Sequence, residues 1–409
     1  MIHVMTDAAT IPTILFGAFD RHNFGDLLFP HIVAAMLEDD QRLFVGLAER
    51  DLRSDGGHEV KALAQVVAEW GNRPVNILHV GGELLTCDVW QAAVMLSPPD
   101  QAQEVIARLD DKPQEKLKWA HEMLRLSALA PYTVSRQLFP RAVRVIYNAV
   151  GGVEFGTCDA ALRVEVLAKL KDADAVSVRD RQTQALLEST GITTQLIPDP
   201  AVMAAELFGE KIHQRAQEGE IAQLLAAFPQ GYIAVQFSAD FGDDETLAVI
   251  AAQLDQAAAS SGYGVVFFRA GAAPWHDDLA CYQRTAARMK TAAVKIVTSL
   301  NLWDICAVIA HSRAYCGSSL HGRIVAMAFA LPRLNLRHPM QTGRVTKQAA
   351  FATTWDKGMP ATVDVYEMAQ GIAHALAADS GQLQRKAQEL AALYRHGFAV
   401  LCAGLKLGV

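Results

Sequence analysis

Short apolar runs that stop at a glycine or a polar turn and then give way to helical spacing recur along this chain. That recurrence narrows the possible folds more than any other feature. Thr13–Phe16 runs into Gly17 and a loop carrying Asn23, Gly25 and Asp26, and a helix follows to about Leu37. Arg42–Leu47 reads as a second strand. Val75–Val80 ends at Gly81-Gly82-Glu83, and Val143–Ala149 ends at Gly151-Gly152. Asp174–Val178 ends at Arg179 with a helical pattern to about Thr190, and Gln195 to Pro198 leads into the turn Asp199-Pro200-Ala201. Strand, loop and helix repeated in this order imply a mostly parallel, doubly wound α/β sheet. Such sheets place ligands at the carboxyl ends of their strands.

A polar helical stretch from Glu206 to Phe228, closed by Pro229-Gln230-Gly231, interrupts the alternation and divides the chain into residues 1–228 and 229–409. The second part starts the pattern again. Tyr232–Phe237, Gly264–Phe268 (followed by Arg269), Ala292–Thr298, Ala314–Cys316 and Leu334–Leu336 read as strands. Asp244–Ser260 and Leu302–Ala310 read as helices, and Glu367–Leu401 is an alanine-rich helical tail that could cross back onto the first domain.

The most informative stretch is Ala314–Leu334. A short apolar strand enters Gly317-Ser318-Ser319, and from Leu320 apolar residues recur at Ile324, Met327, Ala328 and Leu331, ending at Pro332. A strand that feeds a helix through such a turn leaves backbone N–H groups and the positive dipole end pointing outward. That suits a phosphate or carboxylate held at Ser318, Ser319 and Leu320. His321, in the first turn, lies within reach of such a ligand; the alternative is a helix start that needs only a serine cap. Arg179 at a strand end either forks onto an anion or forms a structural ion pair with a neighbouring carboxylate. Arg269, at a strand end of the second part, is a weaker candidate of the same kind. Glu83 could bond a sugar hydroxyl, act as a base, or cap a helix. Arg323, two positions after His321, projects to another side of its helix and is expected to be peripheral or paired with a carboxylate.

Several classes of function are disfavoured. A net charge of −7 without a dense basic block argues against a nucleic-acid surface. No apolar run approaches the roughly 20 residues that cross a bilayer, and MIHVMTDAATIPTILFGAF lacks the basic region and apolar core of a secretion signal, so a cytoplasmic location is expected. Six scattered cysteines form no C-x-x-C pair and read as small core residues in a reducing compartment. Thirteen histidines form no H-E-x-x-H, and no metal requirement is expected. No G-x-G-x-x-G supports a nicotinamide site.

Five segments, in this order, resemble the polysaccharide pyruvyl transferase family: G-x-x-x-x-x-N-x-G-D at Gly17–Asp26, GGELL at Gly81–Leu85, SVRDRQTQALLESTGI at Ser177–Ile192, DPA at Asp199–Ala201, and GSSLHG-x-x-x-A at Gly317–Ala326. Glu83 stands where the family often has a third glycine, and Ser319 where many members carry arginine. The resemblance implies two Rossmann-like domains facing a cleft, as in GT-B enzymes. It also implies phosphoenolpyruvate as co-substrate and a sugar diol of a glycan or lipid-linked precursor as acceptor, with no other cofactor. On that footing His321 and Arg179 are the expected catalytic pair. Ser318, Ser319, Leu320 and Arg269 face the donor, and Asn23, Asp26 and Glu83 face the acceptor. The competing expectations are a GT-B glycosyltransferase using a nucleotide sugar and a non-catalytic binding protein of the same fold.

Overall fold

The computed structural model describes residues 11–37, 41–291, 293–341, 343–403 and 405. Among them, strands gather into one eight-stranded and one six-stranded sheet. The first holds β1 (Thr13–Phe16), β2 (Arg42–Gly46), β3 (Arg50–Asp51), β4 (Glu59–Ala62), β5 (Val75–His79), β6 (Ala142–Val150), β7 (Ala175–Val178) and β8 (Gln195–Leu196), ordered β3-β4-β2-β1-β5-β6-β7-β8. Every pairing is parallel except β3 with β4 at the edge. The second holds β9 (Tyr232–Gln236), β10 (Gly264–Phe267), β11 (Val294–Ile296), β12 (Ala314–Gly317), β13 (Arg333–Arg337) and β14 (Val363–Asp364), ordered β11-β10-β9-β12-β13-β14 and parallel throughout. The central strands are apolar on both faces, as a sheet covered by helices on both sides requires: TILF of β1 and YIAVQ of β9 are buried at every position.

Strand order reverses beside β1 in the first sheet and beside β9 in the second. Those reversals open crevices at the strands' carboxyl ends. The loops issuing there are Gly17–Asn23 and Gly81–Glu83 on one side, and Phe237–Ser238 and Ser318–Ser319 on the other. Gly81 and Gly82 turn the chain out of β5 at φ 123° and 107°, a region closed to residues with a Cβ.

The chain passes between the sheets through the helices Ala204–Arg215 and Gly219–Ala227, and the first of these packs on the helix Leu302–Ala310. An apolar core therefore runs from one half into the other. It joins Leu15, Phe24 and Leu28 with Ile212, Ile305, Ile324 and Met327, while each sheet keeps a second core on its outer side. The alanine-rich tail forms two helices, Met368–Leu376 and Ser380–Leu401, and the latter does return to the first half, packing on β6 and β7.

β3, β4 and β14 go beyond the strands expected from the sequence: all three are short and poor in apolar residues, with β3 and β14 on the sheet edges and β4 next to β3. Residues 1–10, part of the stretch read for a secretion signal, lie outside the described residues, as does Ala292 at the head of an expected strand. No helix among the described residues is long and apolar enough to cross a membrane. The cysteines are free thiols, all buried except the half-buried Cys158. Arg323 is buried against Asp356, with Nη2 at 2.7 Å, and so lies away from the cleft.

Candidate active site

Two helix starts converge between the sheets. Phe24–Met36 begins with the Asn23 side chain accepting the Gly25 N–H at 3.1 Å. Leu320–Ala328 begins with the Ser319 hydroxyl accepting the Gly322 N–H at 3.2 Å. His321, in the first turn of the second helix, lies on the bare backbone of Gly25 in the first. A Cβ at Gly25 would fall 1.9 Å from His321 Nδ1, so the ring's seat exists only because residue 25 is glycine. The edges of Phe29 and Phe24, with centroids 5.0 and 6.4 Å away, hold the imidazole on its other sides.

Behind His321 lies a carboxylate that sequence reasoning passed over as a turn former. Asp199 Oδ2 is 3.7 Å from His321 Nε2, an ion-pair distance too long for a hydrogen bond. The same oxygen accepts from Arg179 Nη1 at 2.9 Å, and Oδ1 accepts the Ala201 N–H at 2.9 Å. Burial opposes ionisation of Asp199, yet His321, Arg179 and the Ala201 N–H together hold its pKa below the ordinary carboxylate value. The site therefore keeps a fixed negative charge behind the imidazole.

The serine turn is partly consumed by the fold. The Ser318 N–H bonds the Gln236 carbonyl at 3.1 Å, the Ser319 N–H bonds Gln236 Oε1 at 2.8 Å, and the Ser318 hydroxyl accepts the Ser238 N–H at 3.0 Å. Among the described residues, the N–H groups of Leu320 and His321 make no hydrogen bond. They are the free amide donors at this helix start, and both residues line a cavity of about 470 Å³ between the two halves.

The same cavity is lined by Asn23, Asp26, Glu83, Arg179, Ser318 and Ser319, so most of the expected site residues come together. Four of the expected residues are held otherwise than a direct ligand contact requires. Arg179 is not free to clamp an anion, because its guanidinium bridges Asp199 and Glu83, with Nη2 2.6 Å from Glu83 Oε2, and its side chain is only 2% exposed. Glu83 is correspondingly committed, its other oxygen accepting the Val153 N–H at 3.1 Å. Arg269 does not line the cavity. It follows the end of β10 and reaches the Thr298 carbonyl at 3.5 Å. Asn23 is held as a cap, with Nδ2 donating to His276 Nε2 at 3.0 Å.

Other cations do face the cavity. Arg21, at its floor, donates to the Tyr132 hydroxyl at 2.7 Å and stands 3.7 Å from Asp26. Arg344 and Lys347 are exposed at the mouth and form no ion pair among the described residues. Both follow the last apolar strand expected from the sequence, in a stretch without a motif.

A family model described as polysaccharide pyruvyl transferase matches residues 134–338, half of the chain. The chain belongs to that family. Three of the five motif segments lie inside the matched span of this pyruvyl transferase family member. The other two, Gly17–Asp26 and Gly81–Leu85, lie outside it but fold onto the same cavity. No curated protein matches the chain. Among solved structures it is similar to S. aureus MnaA in a co-structure with UDP, at 12% identity over 97% of this chain and 96% of that one, with a TM-score of 0.54. It is also similar to the UDP-GlcNAc 2-epimerase of Methanocaldococcus jannaschii in complex with UDP-GlcNAc and UDP, at 10% identity over 91% and 94%, with a TM-score of 0.51. Likeness at this level concerns the fold, which is GT-B-like: two parallel-sheet α/β units facing a cleft.

Proposed function

We propose that the chain moves a pyruvyl group from phosphoenolpyruvate to two hydroxyls of a sugar in a glycan or glycolipid precursor, forming a pyruvate ketal and releasing phosphate. The observation that carries this reading is His321, backed by ionised Asp199 and set beside the two free amides of its own helix start. One anionic group of the donor sits on the Leu320 and His321 N–H groups beside Ser318 and Ser319, where the helix end favours negative charge. The other meets Arg21, while Arg344 and Lys347 at the mouth draw the anionic donor in; these three take the part first expected of Arg179 and Arg269. Arg179 is a positioning residue that fixes Asp199 and Glu83.

The chemistry follows from that placement. Protonated His321 gives a proton to the methylene carbon of the donor, and positive charge develops at C2. One sugar hydroxyl adds there, the C2–O bond to phosphate breaks, and the second hydroxyl closes the ketal. The two protons released by the diol balance the one placed on carbon and the one carried off with phosphate. Asp26, at the cavity wall, accepts from a sugar hydroxyl. The cytoplasm, before export of the finished glycan, is the setting that fits such a precursor.

The test supplies phosphoenolpyruvate with candidate glycans and follows phosphate release together with acceptor mass. His321→Ala is expected to lower turnover by about 10²–10⁴-fold, the usual worth of a general acid–base group, with the fold intact. Arg179→Ala should lose turnover and stability together, since removing one partner of a buried ion pair costs about 3–5 kcal/mol. Thermal stabilisation by phosphoenolpyruvate and not by UDP separates this reading from a nucleotide-sugar enzyme. Full turnover in His321→Ala, or stabilisation by UDP alone, sinks it.

A further inference from the structure

The loop after β10 carries a side chain that its backbone does not want. Ala273-Pro274-Trp275-His276 closes a turn, with the His276 N–H bonded to the Ala273 carbonyl at 3.1 Å. Proline holds the second position, and Trp275 holds the third at φ 64°. A turn with proline second and a positive φ third calls for glycine or asparagine there. A bulky aromatic in the left-handed region is strained. The strain is not relieved by burial: Trp275 is 46% exposed and lines the same cavity as His321.

Both flanks of the turn are anchored. The Ala239 N–H bonds the His276 carbonyl at 2.8 Å, and the Asp277 N–H bonds the Gly271 carbonyl at 3.2 Å. Asn23 of the opposite half holds the His276 ring. The indole is therefore presented to the cleft on a rigid mount, where little ordering entropy remains to be lost on binding.

We infer that Trp275 is the stacking platform for the acceptor sugar, taking the apolar C–H face of a pyranose ring and so selecting which ring enters the cleft. An indole face carries partial negative charge, and pyranose C–H groups carry partial positive charge, so the two surfaces match in both shape and electrostatics. A ring stacked there shares its cavity with Asp26 and His321. This inference rests on the proposal that the cleft takes a sugar acceptor, and the test separates the two.

Methyl β-galactopyranoside, methyl β-glucopyranoside and methyl α-mannopyranoside are titrated, up to their solubility, against the full-length protein, its Trp275→Gly and Trp275→Phe variants, with tryptophan emission as the readout. At least one glycoside should change the emission of the wild type. That response should vanish in Trp275→Gly, with binding weakened about tenfold or more, as expected of an aromatic anchor. Trp275→Phe should keep binding within a few fold by calorimetry. Trp275→Gly should melt no lower than the wild type, because glycine suits the turn. Its stabilisation by phosphoenolpyruvate should be unchanged. Emission unmoved by all three glycosides, or equal affinity in Trp275→Gly, overturns the inference. A sugar response without any phosphoenolpyruvate effect would leave Trp275 in place and remove the pyruvyl donor instead.

Discussion

At the scale of single residues, the contact between Gly25 and His321 decides most. The imidazole is positioned by the absence of a side chain, so the smallest addition is informative. Gly25→Ala should cost about 1–3 kcal/mol of stability, as overpacking does. Turnover should fall further than that loss explains, because the ring must leave its seat beside Asp199. Thermal melts and steady-state rates on one preparation check this, and wild-type rates in a folded Gly25→Ala variant would refute it. Glycine in G-x-x-x-x-x-N-x-G-D is plain in the sequence, but the ring that needs it lies almost three hundred positions away. Asp199 was hidden for the same reason. An Asp-Pro pair at a strand end reads as a turn, and nothing local shows that its carboxylate meets a histidine from the other half. Arg179 illustrates the opposite failure. A strand-end arginine is as good a partner for the chain's own acids as for a ligand, and only tertiary structure shows Asp199 and Glu83 occupying it.

At the scale of elements, the loop Ala270–His276 and the loop His22–Phe24 lock the two halves at one edge of the cleft. The Phe24 N–H bonds the Ala270 carbonyl at 2.8 Å, the Ala272 N–H bonds His22 Nδ1 at 3.1 Å, and Asn23 donates to His276. With His276 Nδ1 3.1 Å from the Pro274 carbonyl, the ring is neutral, carrying its proton on Nδ1. Burial, helped by Arg21, pulls its pKa down to about 4. The unfolded chain takes up that proton near pH 6.5 and the folded chain does not, so the contribution of His276 is whole above pH 6.5 and is lost as pH falls toward 4. The stability gap between wild type and His276→Gln should therefore narrow across that window, by up to about 1.4 kcal/mol per pH unit. Melting curves at stepped pH measure it, and a constant gap would exclude the latch. Most elements were legible because apolar runs of a buried parallel sheet stand out from the helices between them. The two-residue β3 and β14 do not stand out, since an edge strand needs neither apolar residues nor length, and neither does β4, whose EVKA has a single buried residue.

At the scale of the whole molecule, the halves share their largest core, and the last long helix fastens them from behind. Tyr394 lies within that helix and its hydroxyl accepts from Asn148 Nδ2 at 3.0 Å, while a Cβ at Gly397 would fall 2.4 Å from Ile197 Cγ2. The expectation is one calorimetric transition with equal van't Hoff and calorimetric enthalpies, despite two sheets. Gly397→Leu should lower that single transition without splitting it; two resolved transitions in the wild type would contradict the shared core. The tail's return across the molecule is invisible in an alanine-rich sequence, because its partners lie two hundred residues upstream. A joint of this kind also limits how such a protein can diversify. Exchanging one half for that of a distant relative would mismatch an extensive apolar seam and cost stability. Novelty in what the enzyme accepts arises with less disruption by piecemeal replacement in the exposed rim around the cleft, where neighbouring side chains impose the fewest demands.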